Sequence, residues 1–201
     1  MTRRIKGFIR KKLLRFLKLT DPKDRLDFFS DVSTNKNIIG NPIIQQPTQF
    51  VGKGTICFGS EVQLGYFPSP YFYSGYMYLE ARKSDAFIKI GGNTIMNNNI
   101  VIIAESGSIE IGSYCNIGTN VEIINSDFHH IHPLKRNDGT HKAKSIRIGN
   151  NVFIGSNAKI MKGVTIGNNV IIANSAVVFE SVPENTIVKG NPSIVVSEIK
   201  I

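Results

Sequence analysis

A cluster of histidines in one short segment gives the first indication of chemistry. His129, His130 and His132 lie within four residues, just after Asp127, and His141, the fourth and last histidine of the chain, follows in the same segment. Imidazole exchanges a proton near neutral pH, so a histidine beside a hydroxyl group can act as a general base. Asp127 can orient that imidazole or cap the turn, and the sequence leaves both roles open. We therefore expect base catalysis here.

These histidines lie in the longest interruption of a six-residue repeat. Aliphatic residues recur every sixth position in three runs: Ile90, Met96 and Ile102; Ile111, Ile117 and Ile123; and Ile148, Ile154, Ile160, Ile166, Ile172 and Val178. So short and regular a period predicts a triangular solenoid, with one strand on each face and a turn at each corner.

Two interruptions break the repeat. One is a three-residue insertion around residues 105–107, and the other is the histidine loop at 124–147. Solenoids often place insertions on the binding face, so we expect the site at these corners. Aromatic residues crowd a further segment, 66–78, which either stacks on sugar rings or covers the end of the solenoid or a subunit contact.

The positive charge is concentrated at the N-terminus. Residues 1–20 contain eight basic and no acidic side chains, while the rest of the chain is nearly neutral. A nucleic-acid enzyme usually carries its charge on the folded face that meets phosphate, so we expect no nucleic acid as partner. Apolar residues at helical spacing predict a basic amphipathic helix that lies on an anionic membrane or packs on its own protein.

The division that we expect is a helical segment at 1–35, a solenoid domain at 36–195 and a tail at 196–201. No apolar run is long enough to span a bilayer, and no secretory signal is visible. Cys57 and Cys115 form no metal or disulfide pattern and are read as reduced core residues. These features predict a cytoplasmic protein, with residues 1–20 at the inner face of the membrane, and no metal.

Residues from about 85 to 195 resemble the hexapeptide-repeat sugar O-acetyltransferases, which include galactoside and maltose acetyltransferases and enzymes of capsule and O-antigen synthesis. The resemblance rests on Asp127-Phe128-His129, on Arg136 seven residues after that histidine with Gly139 beyond, and on the ending Val182-Pro183 … Lys189-Gly190-Asn191-Pro192. It implies an all-β, left-handed parallel β-helix, a homotrimer with its active site between subunits, and acetyl-CoA as co-substrate.

The resemblance also implies roles for individual residues. His129 becomes the catalytic base assisted by Asp127, with His132 and His130 as alternatives; acceptor contacts fall on Asn98, Asn97, Arg136 and His132, and coenzyme contacts on Phe153, Gly155, Ser156, Asn174 and Lys189. The asparagines have another reading, as corner residues in left-handed backbone conformations. Phe179, Glu180, Ile194 and Ser197 depart from the residues that hold the nucleotide end of CoA in galactoside acetyltransferases, where Lys162, Lys189 or Lys200 can substitute.

The function that this pattern implies is acetyl transfer from acetyl-CoA to a sugar hydroxyl in surface polysaccharide synthesis, with a carbohydrate acceptor and histidine base catalysis. N-acetylation of an amino-sugar nucleotide is the alternative within the same class. Two other classes stay open: a zinc enzyme of the γ-carbonic anhydrase type, although the spacing of His129, His130 and His132 is tighter than that family uses, and a non-catalytic scaffold.

Overall fold

The computed structural model describes residues 22–199, which form one helix, α1 (Pro22–Asp31), followed by a β-helix. The predicted basic helix at residues 1–20 lies outside the described residues. Pro22 is the first residue of α1, a position where proline is tolerated because its missing N–H would have no helical partner. No helix in residues 22–199 is long and apolar enough to cross a membrane.

Twenty short strands follow α1. In chain order they are β1 Ile38–Ile39, β2 Ile43–Ile44, β3 Thr48–Gly52, β4 Thr55–Phe58, β5 Gln63–Leu64, β6 Met77–Ala81, β7 Phe87–Ile90, β8 Ile95–Met96, β9 Val101–Ala104, β10 Ser108–Ile111, β11 Asn116–Ile117, β12 Glu122–Ile124, β13 Ile146–Ile148, β14 Phe153–Ile154, β15 Lys159–Ile160, β16 Thr165–Ile166, β17 Ile171–Ile172, β18 Val177–Val178, β19 Thr186–Lys189 and β20 Ile194–Glu198.

From β1 to β18 every third strand belongs to the same sheet, and the three sheets form the faces of a triangular prism. Face one contains β1, β4, β7, β10, β13 and β16; face two contains β2, β5, β8, β11, β14, β17, β19 and β20; and face three contains β3, β6, β9, β12, β15 and β18. All pairs are parallel except β19 with β20. The predicted parallel β-helix is therefore confirmed. The domain boundary that we set at residue 195 falls within β20.

The six-residue repeat fills the interior of the prism. On face one, Ile90, Ile111, Ile148 and Ile166 pair from strand to strand in register. All four are buried, as are the repeat residues Met96, Ile117, Ile154 and Ile172 of face two and Ile102, Ile123, Ile160 and Val178 of face three. Burying one such side chain stabilises the fold by about 1.5–3 kcal/mol, so the stack supplies its main driving force. Cys115 belongs to this core, whereas Cys57 is only half-buried, contrary to the prediction, because its side of β4 faces away from the interior.

The aromatic segment is fastened to α1 and to the first coils. The guanidinium of Arg25 donates to the main-chain oxygens of Tyr73 at 2.5 Å and Gly75 at 2.6 Å. The rings of Phe29 and Tyr76 stack with centroids 4.6 Å apart. This segment therefore packs against α1, while the rings of Phe67 and Tyr73 stay largely exposed.

The histidine loop leaves the prism after β12 and returns at β13 without disturbing the register, since Ile111 still pairs with Ile148. Residues 125–145 form this loop, which contains one 3₁₀ turn at Pro133–Lys135. The three-residue insertion at 105–107 lies between β9 and β10, at the corner between the same two faces. Both interruptions therefore emerge at the corner between faces three and one.

Candidate active site

A main-chain carbonyl orients the imidazole of His129. The Nδ1 atom of His129 lies 3.0 Å from the carbonyl oxygen of Arg136. Because a carbonyl oxygen only accepts hydrogen bonds, Nδ1 must carry the proton in this contact, and the neutral ring then has its lone pair on Nε2. The seven-residue spacing thus has a structural meaning: the loop folds back so that residue 136 fixes the tautomer of residue 129.

The residue before this histidine has an unusual backbone conformation. Phe128 has a φ angle of 58°, in the left-handed region that bulky residues rarely adopt. Its N–H donates to Ser126 Oγ at 3.0 Å, and Arg82 lies over its ring at 4.5 Å from the centroid. Arg82 in turn donates to both carboxylate oxygens of Glu80, at 2.7 and 3.1 Å. Such strain persists where the surroundings enforce it and is typical of functional sites.

A cavity of about 230 Å³ lies beside His129. Its lining residues share the corner between faces three and one: Asp127, His129, His130, Ile131, Thr140, His141, Lys142, Lys144 and Lys162. Asp127 forms an ion pair with Lys162, so its carboxylate contacts the ammonium group of that lysine. In this geometry the group that orients the His129 imidazole is the carbonyl of Arg136.

The other two candidate histidines hold the loop's own main chain. Nδ1 of His130 accepts from the N–H of His132 at 3.0 Å, and Nδ1 of His132 accepts from the N–H of Leu134 at 3.3 Å. His132 caps the 3₁₀ turn and does not line the cavity. Of the candidate bases, His129 and His130 line it.

Sequence reasoning missed a buried carboxylate beneath the loop. Glu105, in the three-residue insertion, accepts from Ser126, lies 2.6 Å from His141 Nε2 and lies 3.2 Å from Lys83 Nζ. Burial alone would raise the pKa of Glu105, but hydrogen bonds from Ser126, His141 and Lys83 outweigh it and lower the pKa to about 2. The insertion in the repeat was the available signal.

Glu105 joins the two limbs of the histidine loop. Ser126 belongs to the outgoing limb and also receives the N–H of Phe128, while His141 belongs to the returning limb. The side chain of Glu105 is only 5% exposed. One buried carboxylate therefore fastens both ends of the segment that carries His129.

Phe153, predicted to contact coenzyme, and Asn97, predicted to contact the acceptor, lie away from His129 in the same chain. Phe153 and Asn97 line a second cavity of about 330 Å³ on face two, together with Tyr66, Ile95, Asn116, Ile117 and Gly118. Face two is opposite the corner that carries His129. A single chain therefore does not bring Phe153 or Asn97 to the cavity beside His129.

Beside Phe153, at the corner where face two ends, the close approach of the next coil requires glycine at position 155. A Cβ atom at Gly155 would lie 2.3 Å from Oδ1 of Asn174 on the next coil, a distance that real contacts do not reach. The hydroxyl of Ser156 bonds to that of Thr119 at 3.1 Å. Lys189 ends β19 and is exposed. Gly155, Ser156 and Asn174 thus form a close-packed edge beside Phe153.

The three asparagines at 97–99 have different roles. Asn98 is fully buried, and its amide donates to the main-chain oxygens of Tyr66 at 3.0 Å and Pro70 at 2.9 Å. It therefore holds the aromatic segment and does not reach the cavity beside His129. Asn99 has a φ of 63° and bonds to the corner residue Asn120, as the alternative reading predicts.

Within residues 22–199, no group of three or more His, Cys, Asp or Glu side chains is arranged to hold a metal ion.

Comparisons with known proteins find acetyltransferases. Residues 145–180 match the family described as bacterial transferase hexapeptide (six repeats). The chain is 39% identical over 80 residues to polysialic acid O-acetyltransferase of Neisseria meningitidis, covering 40% of this chain and 37% of that protein. It is 37% identical over 112 residues to galactoside O-acetyltransferase of Escherichia coli, covering 56% and 54%. The chain thus spans well under two thirds of the length of these relatives.

A solved structure extends the likeness over the whole fold. A hexapeptide-repeat acetyltransferase of Vibrio cholerae, complexed with acetyl coenzyme A, superposes with a TM-score of 0.58 at 24% identity, covering 94% of this chain and 85% of that one. This likeness confirms the predicted fold class, a left-handed parallel β-helix.

Proposed function

We propose that this chain, whose residues 145–180 match the bacterial transferase hexapeptide family, is an O-acetyltransferase that moves an acetyl group from acetyl-CoA to a sugar hydroxyl. The observation that carries the proposal is the contact of His129 Nδ1 with the carbonyl of Arg136, which leaves Nε2 as the proton acceptor beside a cavity. The names of the relatives support the class, since the two reported above are O-acetyltransferases of glycans.

The proposed reaction is direct transfer. Nε2 of His129 accepts the proton of the sugar hydroxyl while that oxygen attacks the thioester carbon. A new C–O bond forms, the C–S bond breaks, and the proton passes from His129 to the departing thiolate, so the products are the acetyl ester and free CoA. Removing the hydroxyl proton as the C–O bond forms avoids a high-energy oxonium and accounts for the need for a fixed tautomer.

An acyl-enzyme on cysteine does not fit the geometry. The thiol of Cys115 is buried in the core, its Sγ lies 3.3 Å from the carbonyl oxygen of Gly149, and burial raises its pKa. Cys57 lies on β4, away from the loop that carries His129. We therefore assign no covalent role to either cysteine.

Acetyl-CoA is the proposed donor, held along the edge formed by Phe153, Gly155, Ser156 and Asn174, with Lys189 nearer the nucleotide end. The exposed ring of Phe153 offers an apolar surface for an extended pantetheine arm, and the corner at Gly155 has no side chain to obstruct it. Acceptor contacts are proposed for Asn97 and for the side chains of Arg136 and His132, all three at least partly exposed.

A homotrimer is the proposed assembly, because His129 and the Phe153 cavity lie on opposite sides of one prism. Three prisms around a symmetry axis place a corner of one copy against a face of the next, which joins the two half-sites. We expect light scattering to give a mass near three times 22.3 kDa. A monomer at micromolar concentration would contradict both the trimer and the shared site.

Residues 1–20 are proposed as a peripheral membrane contact, beside glycan assembly at the inner face of the membrane. Their eight basic side chains would be attracted to anionic lipids, an attraction that salt screens. We expect deletion of residues 1–20 to abolish binding to vesicles containing phosphatidylserine while turnover of a soluble acceptor persists. Loss of the trimer on deletion would show that the segment is structural instead.

The proposed function is tested by acetyl transfer from labelled acetyl-CoA to a panel of oligosaccharides and amino-sugar nucleotides. We expect label on an oligosaccharide, released by hydroxylamine because esters are cleaved by this reagent and amides are not. Label that resists hydroxylamine on an amino-sugar nucleotide would instead establish the N-acetyltransferase alternative. Transfer to no acceptor would contradict the proposal.

A further inference from the structure

The cavity beside His129 carries an excess of positive charge. Lys142, Lys144 and Lys162 all line it, and Asp127 is the only acidic lining residue. Asp127 is already paired with Lys162. Neither Lys142 nor Lys144 has an acidic side chain within ion-pair distance among residues 22–199. Two ammonium groups are therefore left uncompensated beside the proposed base.

The positive charge of this cavity is a local feature, because the chain outside residues 1–20 is nearly neutral. Outside residues 1–20 the chain has sixteen basic and fifteen acidic side chains. In the loop at 125–145 the balance shifts to four basic against two acidic residues, and all four histidines lie there. A concave site lined by one sign of charge focuses its field on a ligand of the opposite sign.

The position of Lys144 is defined by the fold. Its N–H donates to the carbonyl of Asn125 at 2.9 Å, and its own carbonyl accepts from Gly163 at 3.1 Å. Its aliphatic stem lies over Gly163, where an added Cβ would be 3.1 Å from the lysine Cδ. The absence of a side chain at Gly163 therefore leaves room for the Lys144 stem beside the ion pair of Lys162 with Asp127.

We propose that the acceptor is an anionic glycan, with a carboxylate or phosphate close to the hydroxyl that is acetylated, and that Lys142 and Lys144 bind this group. The inference rests on the proposed function and names the substrate class of the same site. The phosphates of CoA are a second source of negative charge. These phosphates are separated from the thioester by the whole pantetheine arm. Lys142 and Lys144 share a cavity with His129, where the acceptor hydroxyl meets the thioester, so they lie beside the acceptor.

The test compares an oligosaccharide of carboxylate-bearing sugars with its methyl ester, which is the same acceptor without the charge. One exposed ion pair changes binding by about two- to fivefold, so two should together give about tenfold. We expect the full chain to show a kcat/KM about tenfold higher for the acid than for the ester, and added salt to reduce this preference. In the double variant Lys142→Gln/Lys144→Gln, KM for the acid should rise about tenfold, with kcat and the KM for acetyl-CoA nearly unchanged.

Lys53→Gln is the matched control, since Lys53 is an exposed lysine outside the cavity, and it should keep the preference for the acid. Equal use of acid and ester by the wild type would overturn the anionic acceptor while leaving the acetyltransferase intact. A rise in the KM for acetyl-CoA instead would assign the lysines to CoA phosphate and also overturn it. Failure to release CoA with these two acceptors and with every other acceptor of the panel would overturn the proposed function itself.

Discussion

Alanine in place of His129 is expected to lower kcat by about 10²–10⁴-fold, the usual contribution of a general base. The KM for acetyl-CoA and the trimer should be nearly unchanged, because the imidazole is exposed and its one hydrogen bond lies within its own loop. Steady-state kinetics over a range of pH measure this directly.

Two substitutions in the same loop serve as controls. Arg136→Ala should keep most of kcat, because the main-chain carbonyl that holds His129 is still present; any loss should appear in the KM for the acceptor. His132→Ala should have a mild effect, since that side chain caps the 3₁₀ turn and does not line the cavity. An inactive His132→Ala with an active His129→Ala would show that the wrong histidine has been assigned.

Among the substitutions considered, glutamine in place of Glu105 should give the largest loss in the free energy of unfolding. Removing one partner of a buried ion pair costs about 3–5 kcal/mol, because the remaining charge is left without compensation. Here Lys83 is half exposed, so its ammonium group stays solvated when its partner is removed. We therefore expect a loss near 3 kcal/mol, at the lower end of this range, in the free energy of unfolding. Denaturant unfolding measures it, and kcat should fall as well, since both loop limbs lose their fastening.

Glu110→Gln is the matched control for this variant. Glu110 is partly exposed and lies 3.8 Å from Arg147, so the same substitution should change stability by less than about 1 kcal/mol. Equal effects of the two substitutions would contradict the fastening role of Glu105.

The contribution of Glu105 should depend on pH in one direction. Its pKa in the folded protein, about 2, is below the ordinary value of 4.5, so the folded state binds its proton less readily than the unfolded state. The stabilisation is therefore complete above about pH 5 and is lost as the pH falls toward 2. We expect the difference in Tm between wild type and Glu105→Gln to be constant from pH 5 to 7 and to shrink below pH 4.

The scaffold could be predicted from the sequence because its repeat is enforced by packing. Every sixth residue, such as Ile148 and Ile154, must fill the same interior, so the pattern is visible without coordinates. The left-handed winding of the β-helix was implied by the resemblance, because the spacing of the repeat alone does not fix the handedness of the coil.

The site could be predicted only in part, because it depends on contacts between distant residues. The spacing of His129 and Arg136 was visible, but the use of a main-chain carbonyl was not, since any residue at 136 offers one. Glu105 lies twenty-one positions from Ser126 and thirty-six from His141, and no local pattern joins them. Asn98 shows the converse: its alignment suggested an acceptor contact, while its amide holds the main chain of residues 66–70.

The most direct test of the central claim is rapid-quench measurement of CoA release, with and without acceptor, combined with the intact mass of the protein. Direct transfer predicts that CoA appears only when acceptor is present, in equal amount to the acetyl ester, and that the protein is never acetylated. A burst of CoA equal to the protein concentration in the absence of acceptor, with a matching acetylated protein, would contradict His129 as the base of a direct transfer.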